Sequence, residues 1–424
     1  MKSILILALC CATFSYGQSY DYYSIGDTSD VQTNPSFGIC LMGGATEDDN
    51  GSSWFLEKAD GGNIVVIRAS GSDGYNEYFY NQLGVTVQSV ETIVFNTASA
   101  SQDPFIQRRL SNAEAIWIAG GDQFIYESYW RNTAIEDILN DHISSNYPIG
   151  GTSAGMAILS EYYFNAENGT VTSTQALNDP LSSAVSVEKD FILNPLLSNT
   201  INDTHYDNPD RRGRHAAFLA HLLNDNNSIN FGIGAEEYVA ICIEPTGIAT
   251  VFGQYPTYED HAYFLRTNCS AEPPGILQQN TPLTWETTSD AISVCKVEAR
   301  SDGSSQFDLN EWKDLNHGSW EGWNINAGSL TVTNSTYESC NLSTNSIVST
   351  QKVIVYPNPS SDYIEISSDK NISKIEIQSI EGQIVDQLKE VNHFNTQDLR
   401  TGTYILSIYF SDGTLTKERI VIDH

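Results

Sequence analysis

A serine between two glycines is the residue of this sequence best suited to do chemistry. It lies in Gly151-Thr152-Ser153-Ala154-Gly155, after an apolar approach and before a helix-compatible run from Ala154 to Glu161. A sharp strand-to-helix turn holds a serine hydroxyl clear of the backbone, and such a turn needs small neighbours. The free N–H groups of the helix start suit a developing oxyanion. The pattern alone fits two interpretations equally well: a nucleophilic Ser153, or a serine that only caps a helix.

A serine hydroxyl attacks efficiently only when a base accepts its proton and a carboxylate orients that base. Of the eight histidines, His205 follows a strand-like stretch and precedes an arginine cluster, and His261 fits the order serine, acid, histidine. The sequence leaves both open, with His205 preferred, and either one is otherwise a structural histidine. Glu236 and Glu237 follow a glycine-punctuated strand and are the candidate acids, unless they form a solvated acidic loop.

The elements that must position these residues alternate between strands and helices. This alternation predicts right-handed crossovers and a mainly parallel, doubly wound α/β sheet, with the site beyond the carboxyl ends of the strands. Strand ends at Gly43-Gly44, Gly120-Gly121 and Ser153 should therefore converge. The predicted strands are 38–42, 63–69, 86–95, 115–119 and 147–150, and the predicted helices are 76–83, 103–110 and 124–143.

The second half of the chain predicts a helix over 211–223, three further strands (230–234, 238–244 and 248–253) and a polar, Trp-containing stretch over 269–334. A Ser-, Thr- and Asn-rich segment then suits a linker. From about Lys352, short alternating strands with glycine turns and no helices predict a small all-β sandwich.

Charge, the N-terminal residues and the cysteines each limit what this protein can be. The formal charge of −32, from 21 basic and 53 acidic residues, argues against a nucleic-acid partner, because phosphate binding needs a basic face. Lys2, an apolar run and Ser15-Tyr16-Gly17 predict a secretory signal peptide over 1–17. Cys40 and Cys242 are expected to be buried thiols, and one disulfide is open to the later cysteines. No metal-binding pattern occurs, so no metal site is expected.

Five motifs together resemble cyanophycinase, in the serine peptidase family that it shares with peptidase E. They cover about Ser36 to Gly253 in the family's order: Met42-Gly43-Gly44-Ala45, Ile118-Ala119-Gly120-Gly121-Asp122-Gln123, Gly151-Thr152-Ser153-Ala154-Gly155, Asp203-Thr204-His205-Tyr206 and Gly232-Ile233-Gly234-Ala235-Glu236-Glu237. The resemblance implies a parallel α/β sheet of the class-I glutamine-amidotransferase type. It also implies Ser153 as nucleophile, His205 as general base and Glu237 as the orienting carboxylate, without a cofactor.

The same resemblance assigns the pocket. It implies an oxyanion hole from the N–H groups of Gly121 and Ala154, and substrate binding by five side chains: Gln123, Asp203, Arg211, Arg212 and Arg214. Tyr206 replaces the family's Phe, and about two residues are inserted before Arg211. The resemblance implies hydrolysis of peptide or isopeptide bonds next to aspartate, with a β-Asp-Arg polymer as leading substrate. An aspartyl dipeptidase and a catalytically silent binding protein are the alternatives, and a homodimer is one option for its assembly.

The C-terminal unit has its own resemblance. Val355-Tyr356-Pro357-Asn358-Pro359 and Gly402-Thr403-Tyr404-Ile405-Leu406 are similar to the sorting domain of the type IX secretion system of Bacteroidetes. This implies export by the type IX machinery to the cell surface or the medium; the alternative is an ordinary β-sandwich binding module. The expected organisation is a signal peptide (1–17), a cyanophycinase-like peptidase domain (36–334), a linker (335–351) and a sorting domain (352–424).

Overall fold

The computed structural model describes residues 18–340 except 288, and residues 354–422 except 359, 369–370, 380–383, 390, 398 and 411–414. The predicted signal peptide, residues 1–17, lies outside the described residues. Two compact units divide the chain after Ser339, within the predicted linker. No helix in the described part of the chain is both long and apolar enough to cross a bilayer.

A ten-stranded mixed sheet forms the centre of the first unit. Its five central strands run parallel, and the strands at both edges pair antiparallel. In spatial order the strands are β1 (Tyr20–Gly26), β4 (Ser89–Phe95), β3 (Asn63–Arg68), β5 (Ala115–Ile118), β6 (Ile149–Thr152), β2 (Ile39–Met42), β11 (Ala240–Ile243), β12 (Ile248–Phe252), β15 (Gln306–Asp308) and β16 (Lys313–Asn316).

A second sheet of eight strands packs against one face of the first. Only its strands β10, β9 and β7 are parallel to one another. In spatial order it contains β18 (Ser329–Asn334), β17 (Gly318–Asn326), β14 (Ile292–Glu298), β13 (His261–Thr267), β10 (Phe231–Ala235), β9 (Thr200–Asp203), β7 (Tyr162–Phe164) and β8 (Val187–Lys189).

Helices cover the outer faces and fill the space beside the second sheet. They are α1 (Asp49–Glu57), α2 (Gly74–Glu77), α3 (Pro104–Ser111), α4 (Gln123–Trp130), α5 (Ala134–Ser144), α6 (Ala154–Ala157), α7 (Ser173–Asn178) and α8 (Arg212–Asn226). Alternation along β2 shows the layering: Ile39 and Leu41 join the core that includes α3–α5 and the second sheet, whereas Cys40 and Met42 face the core under α1. Both faces of the central strands are therefore buried, which explains their nearly continuous apolar sequences.

The α/β class is confirmed, but the expectation of one mainly parallel sheet is wrong. The chain after Tyr162 builds a second sheet, and antiparallel strands extend the first one on both sides. Strand β1 precedes the expected domain start at residue 36 and pairs with β4, so the sheet includes more of the N-terminal sequence than predicted. The predicted helix over 124–143 is two helices, because Asn132 takes a left-handed φ of 58° and Thr133 caps α5.

The polar, Trp-containing stretch contributes β14–β18, and Trp285 and Trp323 are buried in the core that packs against α8. Cys40, Cys242 and Cys295 are buried free thiols, as expected for the first two. Cys269 and Cys340 are both disulfide-bonded.

The C-terminal unit contains a three-stranded and a four-stranded antiparallel sheet with one shared apolar core. Ile364 and Phe394 come from the first sheet, and Ile375 and Leu406 come from the second. The strands are β19 (Ile354–Tyr356), β20 (Tyr363–Ser367), β21 (Ile372–Ser379), β22 (Ile384–Lys389), β23 (His393–Asn395), β24 (Gly402–Phe410) and β25 (Leu415–Ile422). Two sheets around one core agree with the predicted sandwich.

Candidate active site

Ser153 lies on a sharp turn between β6 and α6. Its backbone has φ 54° and ψ −119°, a conformation that L-residues adopt rarely. The flanking glycines are required by close packing: a Cβ on Gly151 would lie 2.7 Å from the carbonyl carbon of Gly155, and one on Gly155 would overlap the carbonyl oxygen of Ile118. The turn therefore holds the serine hydroxyl out of the sheet, as the Gly-x-Ser-x-Gly pattern predicts.

His205 lies beside this serine. It follows β9 with a left-handed φ of 48°, and its Nε2 is 2.8 Å from the Ser153 Oγ. On the other side of the ring, Nδ1 is 2.7 Å from Glu237 Oε1. A carboxylate at Nδ1 holds the proton there and leaves the Nε2 lone pair directed at the serine hydroxyl. The structure therefore brings Ser153, His205 and Glu237 into one hydrogen-bonded series.

Glu237 follows β10 and is positioned by its neighbours. Asn208 Nδ2 donates to its Oε2 at 3.3 Å, and its own N–H donates to Asp207 Oδ1 at 2.9 Å. Burial alone would raise the pKa of Glu237, but the hydrogen bonds from His205 and Asn208 outweigh it and hold the pKa below its ordinary value. Glu237 is therefore ionised at neutral pH, as a carboxylate that stabilises a protonated histidine must be.

The end of β2 anchors this arrangement through its main chain. The carbonyl oxygens of Met42, Gly43 and Gly44 accept hydrogen bonds from the N–H groups of Ser153 (3.0 Å), His205 (2.8 Å) and Tyr238 (3.1 Å), respectively. A Cβ on Gly44, whose φ is 124°, would overlap the His205 ring. Three segments that are distant in sequence are thus fixed to three consecutive carbonyls.

A cleft of about 540 Å³ opens in front of Ser153 and His205. Gly44, Gly120 and Ser153 all line it, which confirms that the three predicted strand ends converge. Side chains that were not predicted from the sequence also line this cleft, among them Arg68, Tyr75 and Tyr78. Arg68 is the last residue of β3, so the rule that places sites at the carboxyl ends of strands is the signal that points to it.

A second cleft of about 840 Å³ lies on the Glu237 side of the site. Its lining is strongly acidic, with five further carboxylates and the exposed rings of Tyr238 and Tyr258; these carboxylates belong to Glu47, Asp48, Asp49, Asp207 and Asp260. Burial raises the pKa of Glu47, Asp48 and Asp260. Hydrogen bonds to each carboxylate oppose this rise but do not cancel it. Glu47 lines both clefts, but the clefts differ in charge: the first has Arg68 beside that carboxylate, whereas carboxylates dominate the second.

Asp203 and Arg214, both expected to bind substrate, instead bind each other. Arg214 Nε donates to Asp203 Oδ2 at 2.8 Å and Nη2 donates to Oδ1, and each side chain is 3% exposed. Arg212 is similarly engaged by Asp210, with Nε–Oδ1 and Nη2–Oδ2 distances of 2.9 and 2.7 Å. Each pair occupies the Nε–Nη2 edge of its guanidinium, so that edge is not available to a substrate carboxylate.

Arg211 is less fully engaged. Its Nη1 lies 3.9 Å from Asp203 Oδ1, and its buried Nε has no hydrogen-bond partner. Burial and the neighbouring Arg214 lower its pKa, while Asp203 and Glu237 oppose that shift. Of the three predicted arginines, Arg211 therefore has the weakest contacts with the surrounding protein.

The remaining predicted residues take different positions. Gln123 begins α4, and its Nε2 donates to the Phe164 carbonyl at 3.2 Å. A Cβ on Gly120 would lie 3.5 Å from the Ser153 Cβ, whereas one on Gly121 would overlap the Tyr126 hydroxyl. Gly120 is therefore the member of the glycine pair that faces the serine. Ala154 directly follows the serine and is buried.

Within the described residues, no group of three or more His, Cys, Asp and Glu side chains is arranged to hold a metal ion.

Two family models match the chain. Residues 65–251 match peptidase family S51, and residues 354–423 match the secretion system C-terminal sorting domain. The sorting domain directs type IX secretion to the cell surface or the extracellular space. None of the curated proteins matches the chain.

Two solved peptidase structures are among those that match. A crystal structure of a peptidase from an acI-B1 Actinobacterium is 16% identical with a TM-score of 0.40, and the match covers 55% of this chain and 91% of that one. A 1.5 Å crystal structure of a putative peptidase E protein from Listeria monocytogenes EGD-e is 17% identical with a TM-score of 0.34, covering 51% of this chain and 98% of the other.

Proposed function

We propose that the chain is an exported serine-type peptidase that cleaves peptide or isopeptide bonds next to aspartate, because residues 65–251 match peptidase family S51 and residues 354–423 match the secretion sorting domain. One observation carries the proposal: the unbroken hydrogen-bonded series from Ser153 Oγ through His205 to Glu237, at 2.8 and 2.7 Å. Such a series activates a hydroxyl that is otherwise a poor nucleophile.

The reaction follows from this geometry. Ser153 Oγ attacks the scissile carbonyl carbon while His205 Nε2 takes the hydroxyl proton, and Glu237 stabilises the resulting imidazolium. The N–H groups of Ala154 and Gly121 are the proposed donors to the oxyanion. His205 then passes the proton to the leaving amine, which departs and leaves an acyl-enzyme. Water, activated by the same histidine, attacks the ester and releases the acid.

A β-Asp-Arg polymer of the cyanophycin type is the leading substrate. The proposal also assigns the α/β domain to the class-I glutamine-amidotransferase type of fold. Clefts of about 840 and 540 Å³ adjoin Glu237 and Ser153, and this room on both sides of the site favours a polymer or peptide over a dipeptide. The second candidate is an aspartyl dipeptidase, which rejects long chains. A catalytically silent binding protein is the third, and it predicts that Ser153 does not react with serine-directed probes.

The test uses the purified protein and Ser153→Ala as its matched control. Both are treated with a fluorophosphonate probe, and then with cyanophycin and a panel of α- and β-aspartyl peptides of increasing length. We expect labelling at Ser153 and hydrolysis by the parent protein, and neither in the variant, whose fold is checked by circular dichroism. Cleavage of dipeptides alone would support the dipeptidase, and an unlabelled Ser153 would refute the serine mechanism.

A further inference from the structure

Arg68 is a cation in the catalytic cleft that forms no ion pair with a carboxylate of the described residues. Its Nε donates to the Ser70 carbonyl and its Nη1 donates to the Ser72 carbonyl at 3.0 Å. Two carbonyl acceptors orient the guanidinium but do not neutralise it. In a protein with a formal charge of −32, a half-buried arginine without a carboxylate partner is an uncommon arrangement.

The loop after β3 is shaped around this side chain. Gly71 has a φ of 86°, and a Cβ there would lie 2.5 Å from Arg68 Nη2. The backbone of residues 70–72 therefore curves closely around the guanidinium and limits its rotamers. A fixed guanidinium loses less side-chain entropy on binding an anion than a mobile one, so this loop favours recognition of a planar, bidentate partner.

The surroundings of Arg68 also favour an anion from outside the chain. The acidic residue among those lining this cleft is Glu47, whose pKa is raised by burial despite the hydrogen bond from Tyr75 and the positive charge of Arg68. A carboxyl with a raised pKa compensates a neighbouring cation less completely. The cleft on the Glu237 side is lined by carboxylates and repels anions. A substrate carboxylate is therefore attracted to one side of Ser153 only.

We propose that Arg68 binds a substrate carboxylate close to the scissile bond and thereby selects acidic substrates. This inference rests on the proposed peptidase function and deepens it. Since Arg212 and Arg214 are paired with Asp210 and Asp203, the inference assigns the substrate carboxylate to a different arginine. The carboxylate belongs either to an aspartate side chain or to the α-carboxyl terminus of the substrate. Both present the same planar anion to the guanidinium.

The first experiment measures protection of Ser153 from a fluorophosphonate probe, which needs no turnover. Three short peptides are compared: an aspartyl peptide with a free C-terminus, its C-terminal amide, and its asparaginyl counterpart. The proteins are the parent, Arg68→Gln, Arg68→Lys and the control Arg108→Gln, an exposed residue of α3. Loss of a charged hydrogen-bonded partner is expected to weaken protection by the acidic peptide about 10- to 100-fold in Arg68→Gln.

The pattern across peptides separates the outcomes. If the side-chain carboxylate is the ligand, the asparaginyl peptide protects all proteins equally weakly; if the terminus is the ligand, the C-terminal amide does so. Arg68→Lys keeps the charge without the fork and should fall between the parent and Arg68→Gln. An equal loss for all three peptides, or no loss for any, would overturn the proposal.

The basal rate of probe labelling keeps the two proposals distinguishable. It should be the same in the parent and in the control Arg108→Gln, and protection in every protein, Arg68→Gln included, is expressed relative to that protein's own labelling rate without peptide. A parent protein that is not labelled would refute the serine mechanism itself. A labelled parent whose protection ignores peptide charge would refute only the role of Arg68.

Discussion

Glu236 and Glu237 are adjacent in the chain, but their carboxylates bind different histidines. Glu237 Oε1 lies 2.7 Å from His205 Nδ1, whereas Glu236 Oε2 accepts from the His261 N–H at 2.7 Å and lies 3.6 Å from its ring Nδ1. Tyr263 OH donates to the other oxygen of Glu236 at 2.9 Å. The sequence leaves two histidines open as partners of Ser153, and each of them contacts a different member of this adjacent glutamate pair.

This pair supplies a matched test of the orienting carboxylate. We expect Glu237→Gln to lower kcat by about 10²–10⁴-fold, because an amide neither fixes the proton on Nδ1 nor stabilises the imidazolium. Glu236→Gln removes a carboxylate from the same segment but leaves the contacts of His205 intact. It should keep kcat within about threefold, with any loss appearing in thermal stability. Equal losses of kcat in both variants would contradict the assignment.

The contact between Gly44 and His205 leads to a second prediction. A Cβ at residue 44 would overlap the imidazole, and the φ of 124° disfavours any L side chain. Gly44→Ala should therefore displace the ring and lower kcat by at least about 10²-fold, as small misplacements of catalytic groups do. Gly275→Ala is the control, since its added Cβ would meet only the Thr284 carbonyl oxygen at 3.9 Å. A Gly44→Ala protein with parental kinetics would show that His205 is not the base.

The buried pair of Asp203 and Arg214 should act on stability. Burial alone would raise the pKa of Asp203, but Arg214 holds it below its ordinary value, so both groups are charged inside the protein. Arg214→Met leaves that carboxylate unpaired, and we expect a loss of about 3–5 kcal/mol in the free energy of unfolding by urea. Arg212→Met removes a more exposed pair and should cost less than about 1 kcal/mol. A stable Arg214→Met protein with a raised KM would restore a substrate-binding role.

Two buried histidines predict a loss of stability in mild acid. Burial lowers the pKa of both His142 and His215 to about 4, below the ordinary value of 6.5. The unfolded chain therefore binds protons that the folded one does not as the pH falls from about 6.5 to about 4, so stability decreases through that window. Near pH 4, each histidine lowers the free energy of unfolding by about 3 kcal/mol relative to neutral pH.

Urea unfolding between pH 7.5 and 4 measures this contribution. His142 Nε2 donates to the Pro148 carbonyl at 2.9 Å, and His142→Gln keeps a donor but does not titrate. The difference in unfolding free energy between parent and variant should then shrink or reverse in favour of the variant as the pH falls. A difference that does not change with pH would contradict a depressed pKa. Carboxyls with raised pKa values, such as Glu114, act in the opposite direction in both proteins and cancel.

The short apolar strands were predictable to within a few residues, because each is a buried run bounded by polar or glycine-rich sequence. The Ser153 turn was predictable because its Gly-x-Ser-x-Gly pattern is local, although the contact that requires Gly155 is with Ile118 of the neighbouring strand β5. The break between α4 and α5 was not, since Asn132 turns the chain without a glycine or proline. The pairing of Asp203 with Arg214 also escaped prediction, because tertiary packing, and not spacing, decides which acid an arginine meets.

The three carbonyls at the end of β2 have a consequence for how this enzyme diversifies. They hold Ser153 and His205 through main-chain hydrogen bonds that no side-chain replacement removes. Two of the side chains that line the cleft, Arg68 and Tyr78, come from other segments, namely the end of β3 and the helical turn after α2. Substitutions at these lining positions can therefore change the shape and charge of the cleft while the main-chain contacts that hold Ser153 and His205 stay in place.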